Sequence, residues 1–220
     1  MVIVEEKEYK LIPMTFFWMF LGLLGTGIIA VYSYSTDLCV NVIKEGYFSI
    51  IMIIEVAVVL VFSLLFRKLP ATVVGILYFV YSAINGLSLS TIFYVFELDS
   101  IVIIFVGAAI LFGLLGFYGY KTKADISRWQ PILLWTLIVG LVVSIINLFI
   151  GSSMLDIIVD WGILITMFGI TVYDMNKLKL LSETNEIDQN KIHIYCAMQL
   201  YLDFINIFIR LLSLFGKRRR

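Results

Sequence analysis

Charged residues are scarce in this chain. Asp, Glu, Lys and Arg make up 15% of its 220 residues, against 61% hydrophobic. Soluble domains run about 45–50% apolar and about 25% charged, so the composition excludes an ordinary water-facing domain and indicates a polytopic membrane protein. Cysteine is nearly absent. Cys39 and Cys196 are too few for a disulfide framework, lie in different segments, and read as inert thiols. No connection between apolar stretches is rich enough in Pro or Ser to be a linker, so residues 1–220 read as a single polytopic membrane domain. The signatures of soluble catalysis are missing too: no HExxH, no phosphate-binding Gly-Lys-Ser/Thr loop, no Gly-x-Ser-x-Gly elbow. The amino-terminal ten residues carry Glu5, Glu6, Lys7, Glu8 and Lys10 rather than the basic leader of a secretory signal, so the first apolar stretch is expected to be retained. Formal net charge is zero; it argues nothing for nucleic acid, and no nucleic-acid partner is expected.

What the chain does contain is long apolar runs. A bilayer core of ~30 Å needs ~20 apolar residues per helix. Seven stretches fit, at about 11–34, 47–66, 71–96, 101–120, 131–150, 157–176 and 192–215. The expected fold is an all-α integral membrane bundle. Positive residues set its orientation. Lys7, Lys10, Arg67, Lys68, Lys121, Lys123, Arg128, Lys177, Lys179 and Lys191 fall on one side, and only Lys44 in the alternate loops. That predicts a cytoplasmic amino terminus. The tail Lys217–Arg220 conflicts with the charge rule if the seventh segment spans fully, leaving a spanning and a re-entrant path both open. Its 24 residues would reach about 36 Å as a helix, enough to cross.

Inside that seventh segment, steps of three and four connect His193, Cys196, Gln199, Asp203, Asn206 and Arg210. At about 100° per residue they form one polar stripe. A charge at bilayer depth costs roughly 2.5–3.5 kcal/mol on insertion scales, so the stripe must face protein or water. Four ionisable groups stand out within or at the ends of the spans: Glu55, Asp174, Asp203 and Arg210. Asp174 reads either as an interfacial carboxylate at the membrane edge or as the partner of Asp203. Asp203 on its own would read as a protonated acid making a structural hydrogen bond. If the two meet in a dry site they cannot both ionise, and they would hold a proton between them and titrate as a unit. Losing that proton favours helix separation or capture of a cation, and hard oxygen ligands suit Ca²⁺. Two carboxylates make a transient site rather than a storage site. Glu55 reads as protonated or partnered across helices, His193 as a surface or capping residue, and Arg210 either as neutralising the face it shares with Asp203 or, preferred here, as snorkelling toward the interface. The small residues Ser82, Ala83, Asn85, Gly86, Ser88 and Ser90, like Gly113, Gly116 and Gly119, read as close helix packing.

The string Leu200–Phe208 (LYLDFINIF) resembles the seventh-helix signature of the Bax inhibitor-1 family. Thr171–Asp174 resembles its sixth-helix motif and Asn85–Ile92 its third; Ile54–Ala57, Asn147–Phe149 and the Gly-rich fourth span also fit. The resemblance covers nearly the whole chain. It implies a central seventh helix wrapped by two three-helix layers. It implies a pH-sensitive Ca²⁺ leak, as in bacterial members, with Asp174 and Asp203 as the proton sensor and transient Ca²⁺ ligands, and Arg67 contacting the pair in the closed state. Glu55 and Arg210 are further candidate gating partners. The expected partners are membrane lipid, Ca²⁺ and protons, with Ca²⁺ as permeant ion and no cofactor, in a bacterial plasma membrane. The alternative is a regulatory interaction protein without intrinsic transport, a modulator of a membrane protease or a cell-death suppressor, acting through a membrane-protein partner. An enzyme is not expected, because the Gly-x-Gly-Asp setting of intramembrane aspartyl hydrolases is missing around both aspartates.

Overall fold

In hydrocarbon a backbone N–H or C=O has no water to bond, so runs of Leu, Ile, Val and Phe satisfy themselves as helix. A computed structural model describes residues 2–66, 68–124, 126–183 and 189–219, with side chains from residue 11 onward apart from those of 183, 189 and 190. Among the described residues it is all-helical. The helices are α1 (Val2–Ser35), α2 (Leu38–Lys44), α3 (Phe48–Leu65), α4 (Ala71–Leu89), α5 (Ile92–Val95), α6 (Leu98–Lys121), α7 (Gln130–Ile150), α8 (Ser153–Glu183) and α9 (Gln189–Phe215). Seven spans are long and apolar enough to cross a membrane, with α4 and α5 counting as one. The protein is an integral membrane helical bundle.

Two departures from the expected boundaries have local causes. The third span breaks at Ser90 and Thr91, whose hydroxyls donate to the carbonyls of Leu87 (2.6 Å) and Ser88 (2.8 Å), an alternative to the helical ladder. The sixth runs past residue 176 because Met175, Leu178 and Ser182, at helical spacing, are all buried.

The chain divides into two units. The first holds residues 1–96, 182–201 and 219–220, the second 97–181 and 202–218. In the first, α1 lies along α4 at backbone distance. A Cβ on Gly86 would stand 2.6 Å from the Thr26 carbonyl oxygen, and small residues permit that approach. Thr26 donates to the Ser82 carbonyl (3.0 Å) and sits 2.7 Å from the Tyr201 hydroxyl, which in turn donates to Asn85 Oδ1 (2.9 Å). The small residues of α4 thus pack and hydrogen-bond. In the second unit the glycines of α6 do the same against α8: a Cβ on Gly119 would meet the Val172 carbonyl oxygen at 2.5 Å, and one on Gly116 would touch Met175. Gly113 faces open space. The α7–α8 turn is held by Asn147, whose Nδ2 donates to the Ser152 carbonyl (2.9 Å) and whose Oδ1 receives the Ser152 N–H (3.0 Å). Gly151 closes α7 at φ 69°, a left-handed cap that glycine adopts without a Cβ clash.

α9 is a full span. Near its start, Lys191 donates to the Leu69 carbonyl (3.0 Å) in the α3–α4 connection. Just past its end, the Arg219 N–H donates to Val95 (2.9 Å) and the Arg219 guanidinium to the Tyr34 hydroxyl (3.0 Å). The re-entrant path is therefore excluded, and Arg219 lies on the face opposite the α3–α4 connection. Half of this span is buried, against 6–44% of the others.

Candidate functional site

Within the second unit, α6 positions both aspartates. Its Gly116 and Gly119 admit α8 at Val172 and Met175, the residues flanking Tyr173 and Asp174, and Asn176 donates to the Gly119 carbonyl (3.3 Å). Its Phe105 and Phe112 set their rings edge-on to Phe204, with centroids 5.3 and 5.7 Å away, fixing α9 one residue from Asp203. The result is two buried carboxylates, Asp174 at 8% exposure and Asp203 at 3%, so neither is bathed by lipid or bulk water. They are near enough for the charge on Asp174 to act on Asp203. The Lys177 ammonium acts on Asp174 in addition. Asp203 Oδ2 has no hydrogen-bond partner among the described residues. A buried oxygen left unmatched costs free energy unless a proton or cation occupies it at least part of the time. Among the described residues no three His, Cys, Asp or Glu side chains cluster around a metal position.

Glu55 belongs to the first unit. It is buried on α3 beside Ser88 and Asn85 of α4, with Oε1 unpartnered among the described residues. Arg67 lies outside the described residues. His193 rests against the Trp18 ring, centroids 5.9 Å apart, and Cys39 and Cys196 are buried and free of disulfide.

Arg210 does not snorkel. Its guanidinium is ion-paired with Asp160 of α8 at 2.5 Å, and the Ser213 hydroxyl bonds the other oxygen of that carboxylate. The physical reason is a buried acid within reach: Asp160 is 7% exposed, and an unpaired carboxylate at that depth is costly. Sequence reading missed Asp160, although the signal was there. It sits inside the sixth apolar stretch, and four turns separate it from Asp174, which returns it to within about 40° of the same helix face.

The chain matches the family described as "Inhibitor of apoptosis-promoting Bax1" over residues 9–220. It is 38% identical to the inner membrane protein YbhL of Escherichia coli K12 over 210 residues, 92% of this chain and 89% of that one. It is 31% identical to an uncharacterised protein of Borreliella burgdorferi over 98% of this chain and 97% of that one, and 31% identical to one of Rickettsia prowazekii over 92% and 87%. This chain belongs to the Bax inhibitor-1 family. The strings that resembled the family's motifs fall on working parts of the structure. Asn85 receives the Tyr201 hydroxyl, and Asn147 holds the α7–α8 turn. Thr171–Asp174 presses against α6, and Leu200–Phe208 carries the buried core of α9.

Proposed function

We propose that this Bax inhibitor-1 family protein is a proton-sensitive cation leak, with Ca²⁺ as the permeant ion and the Asp174–Asp203 pair as its gate. The observation that carries the reading is two carboxylates buried on α8 and α9 within one unit, one of whose oxygens has no partner among the described residues. In a site with little water, two adjacent anions repel, so the pair is stable with a proton between them. Raising the pH removes that proton, and the bared oxygens then either push the helices apart or receive a cation. Proton and cation compete for the same oxygens, so acidification lowers cation occupancy. By resemblance Arg67 is a further gating residue, and Glu55 is a second gating group in the first unit. No catalytic step and no cofactor belongs to this reading. The charge pattern supports a cytoplasmic amino terminus in a bacterial plasma membrane. Regulation through a tail-borne partner site has less support, because Lys217 pairs with Glu97 at 2.8 Å and Arg219 with Tyr34.

The test is flux in liposomes holding the purified protein, with Ca²⁺, Na⁺ and K⁺ compared at acidic and alkaline pH. Ca²⁺ flux that rises with pH is expected. Protein-containing vesicles that leak no faster than empty ones at either pH would falsify the transport reading.

A further inference from the structure

A second acidic position lies along the same two helices, and this chain fills it with a cation of its own. Asp160 has a side chain only 10% exposed, and both of its oxygens are taken, one by Arg210 and one by Ser213. One turn earlier on α8, Asp156 accepts from Asn147 Nδ2 at 2.6 Å. Asp156, Asp160 and Ser213 line an open cavity of about 310 Å³, together with Trp161 and Arg218. From the cavity wall at Ser213, steps of three and four along α9 lead through Arg210 and Asn206 to Asp203, a single polar line on one helix face. Arg210 stands in that line two turns, about 10 Å, from Asp203.

We propose that Arg210 is a tethered counter-ion that excludes metal cations from the cavity and from the polar line leading to Asp203. Its guanidinium occupies the carboxylate that an entering cation would need, and repels that cation. Without it, Asp156, Asp160 and the Ser213 hydroxyl would present hard oxygen ligands to the cavity, the donor type that calcium-sized ions prefer. The flux consequence rests on the leak reading above; the binding consequence does not.

The experiment uses the full chain and Tb³⁺, a calcium-sized ion whose luminescence a nearby indole sensitises; Trp161 on the cavity wall supplies that indole. Arg210→Gln is expected to bind Tb³⁺ at least about tenfold more tightly than the wild type, a difference of 1.4 kcal/mol. The new signal is expected to vanish in Trp161→Phe/Arg210→Gln and in Asp160→Asn/Arg210→Gln, and Arg210→Lys to stay at the wild-type level. Ca²⁺ flux is expected to rise in Arg210→Gln and fall back when Asp160→Asn is added. A folded Arg210→Gln protein with wild-type Tb³⁺ signal, or a gain that survives Asp160→Asn, overturns the proposal. Where Arg210→Gln does not fold, Arg210→His carries its cation at acidic pH and sheds it as pH rises. Its Tb³⁺ signal is then expected to appear on alkalinisation, and a signal that never appears, or never varies, overturns the proposal equally. A wild-type protein without proton-sensitive flux ends the leak reading and leaves the Tb³⁺ result to decide on Arg210.

Discussion

Asp203→Asn is expected to abolish the pH dependence of Ca²⁺ flux while leaving the protein folded. A proton competing with a cation for the same oxygens changes the cation's apparent affinity by up to about tenfold per pH unit. Asn cannot titrate, so that slope disappears. The substitution is nearly isosteric, and Oδ2 of Asp203 has no hydrogen bond to lose among the described residues, so a change in flux is not simply a change in folding. Asp174→Asn is expected to give the same flattened profile, because two carboxylates that act on one another titrate as a unit. Liposome flux measured at several pH values for the wild type and both variants checks this. A full wild-type slope in either variant removes that aspartate from the gate.

The second large effect is steric. Gly119→Ala would place a Cβ 2.5 Å from the Val172 carbonyl oxygen and 3.1 Å from the Val172 Cα. Backbone cannot rotate away as a side-chain tip can, so α6 and α8 must separate, and overpacking of this kind costs about 1–3 kcal/mol. The displacement falls at Val172 and Met175, on the turn that carries Asp174, so gating should suffer together with stability. Gly113→Ala on the same helix is the control. Nothing stands within 4 Å of its would-be Cβ, and alanine is the better helix former by about 1 kcal/mol. Thermal unfolding in detergent is expected to show Gly119→Ala clearly destabilised and Gly113→Ala unchanged or improved. Equal behaviour of the two would contradict the close α6–α8 approach.

Burial of Asp203 on the α9 polar stripe could be read from residue order alone, because a charge at bilayer depth has few tolerable environments. Asp203 has apolar neighbours on both sides and no water of its own, and it is 3% exposed. The seven spans follow from the same constraint, since hydrocarbon leaves an apolar run little choice but helix. Pairings between distant residues are a different matter. Nothing local announces that Arg210 meets Asp160 fifty positions away, or that Ser213 bonds the same carboxylate. A periodic reading gives the face of a helix, not the neighbour across from it. The carboxyl tail shows the same limit. By charge counting, Lys217–Arg220 belong on the basic side of the membrane. The fold instead fixes Arg219 beside Tyr34 and Val95, and Lys217 beside Glu97 and Ser100. Those bonds are made by residues far away in sequence, which the charge rule does not consider. The glycines divide likewise: Gly113 and Gly119 are alike in sequence, and only their neighbours distinguish a contact from open space.

The proposed gate depends on Asp174 and Asp203 holding a proton between them. Infrared difference spectroscopy of the reconstituted protein tests it most directly, through the C=O stretch that only a protonated carboxyl shows. Such a band is expected in the wild type, fading as pH rises, and is expected to be lost or shifted in both Asp174→Asn and Asp203→Asn. A band indifferent to both substitutions, or two carboxylates ionised throughout the pH range, would contradict it.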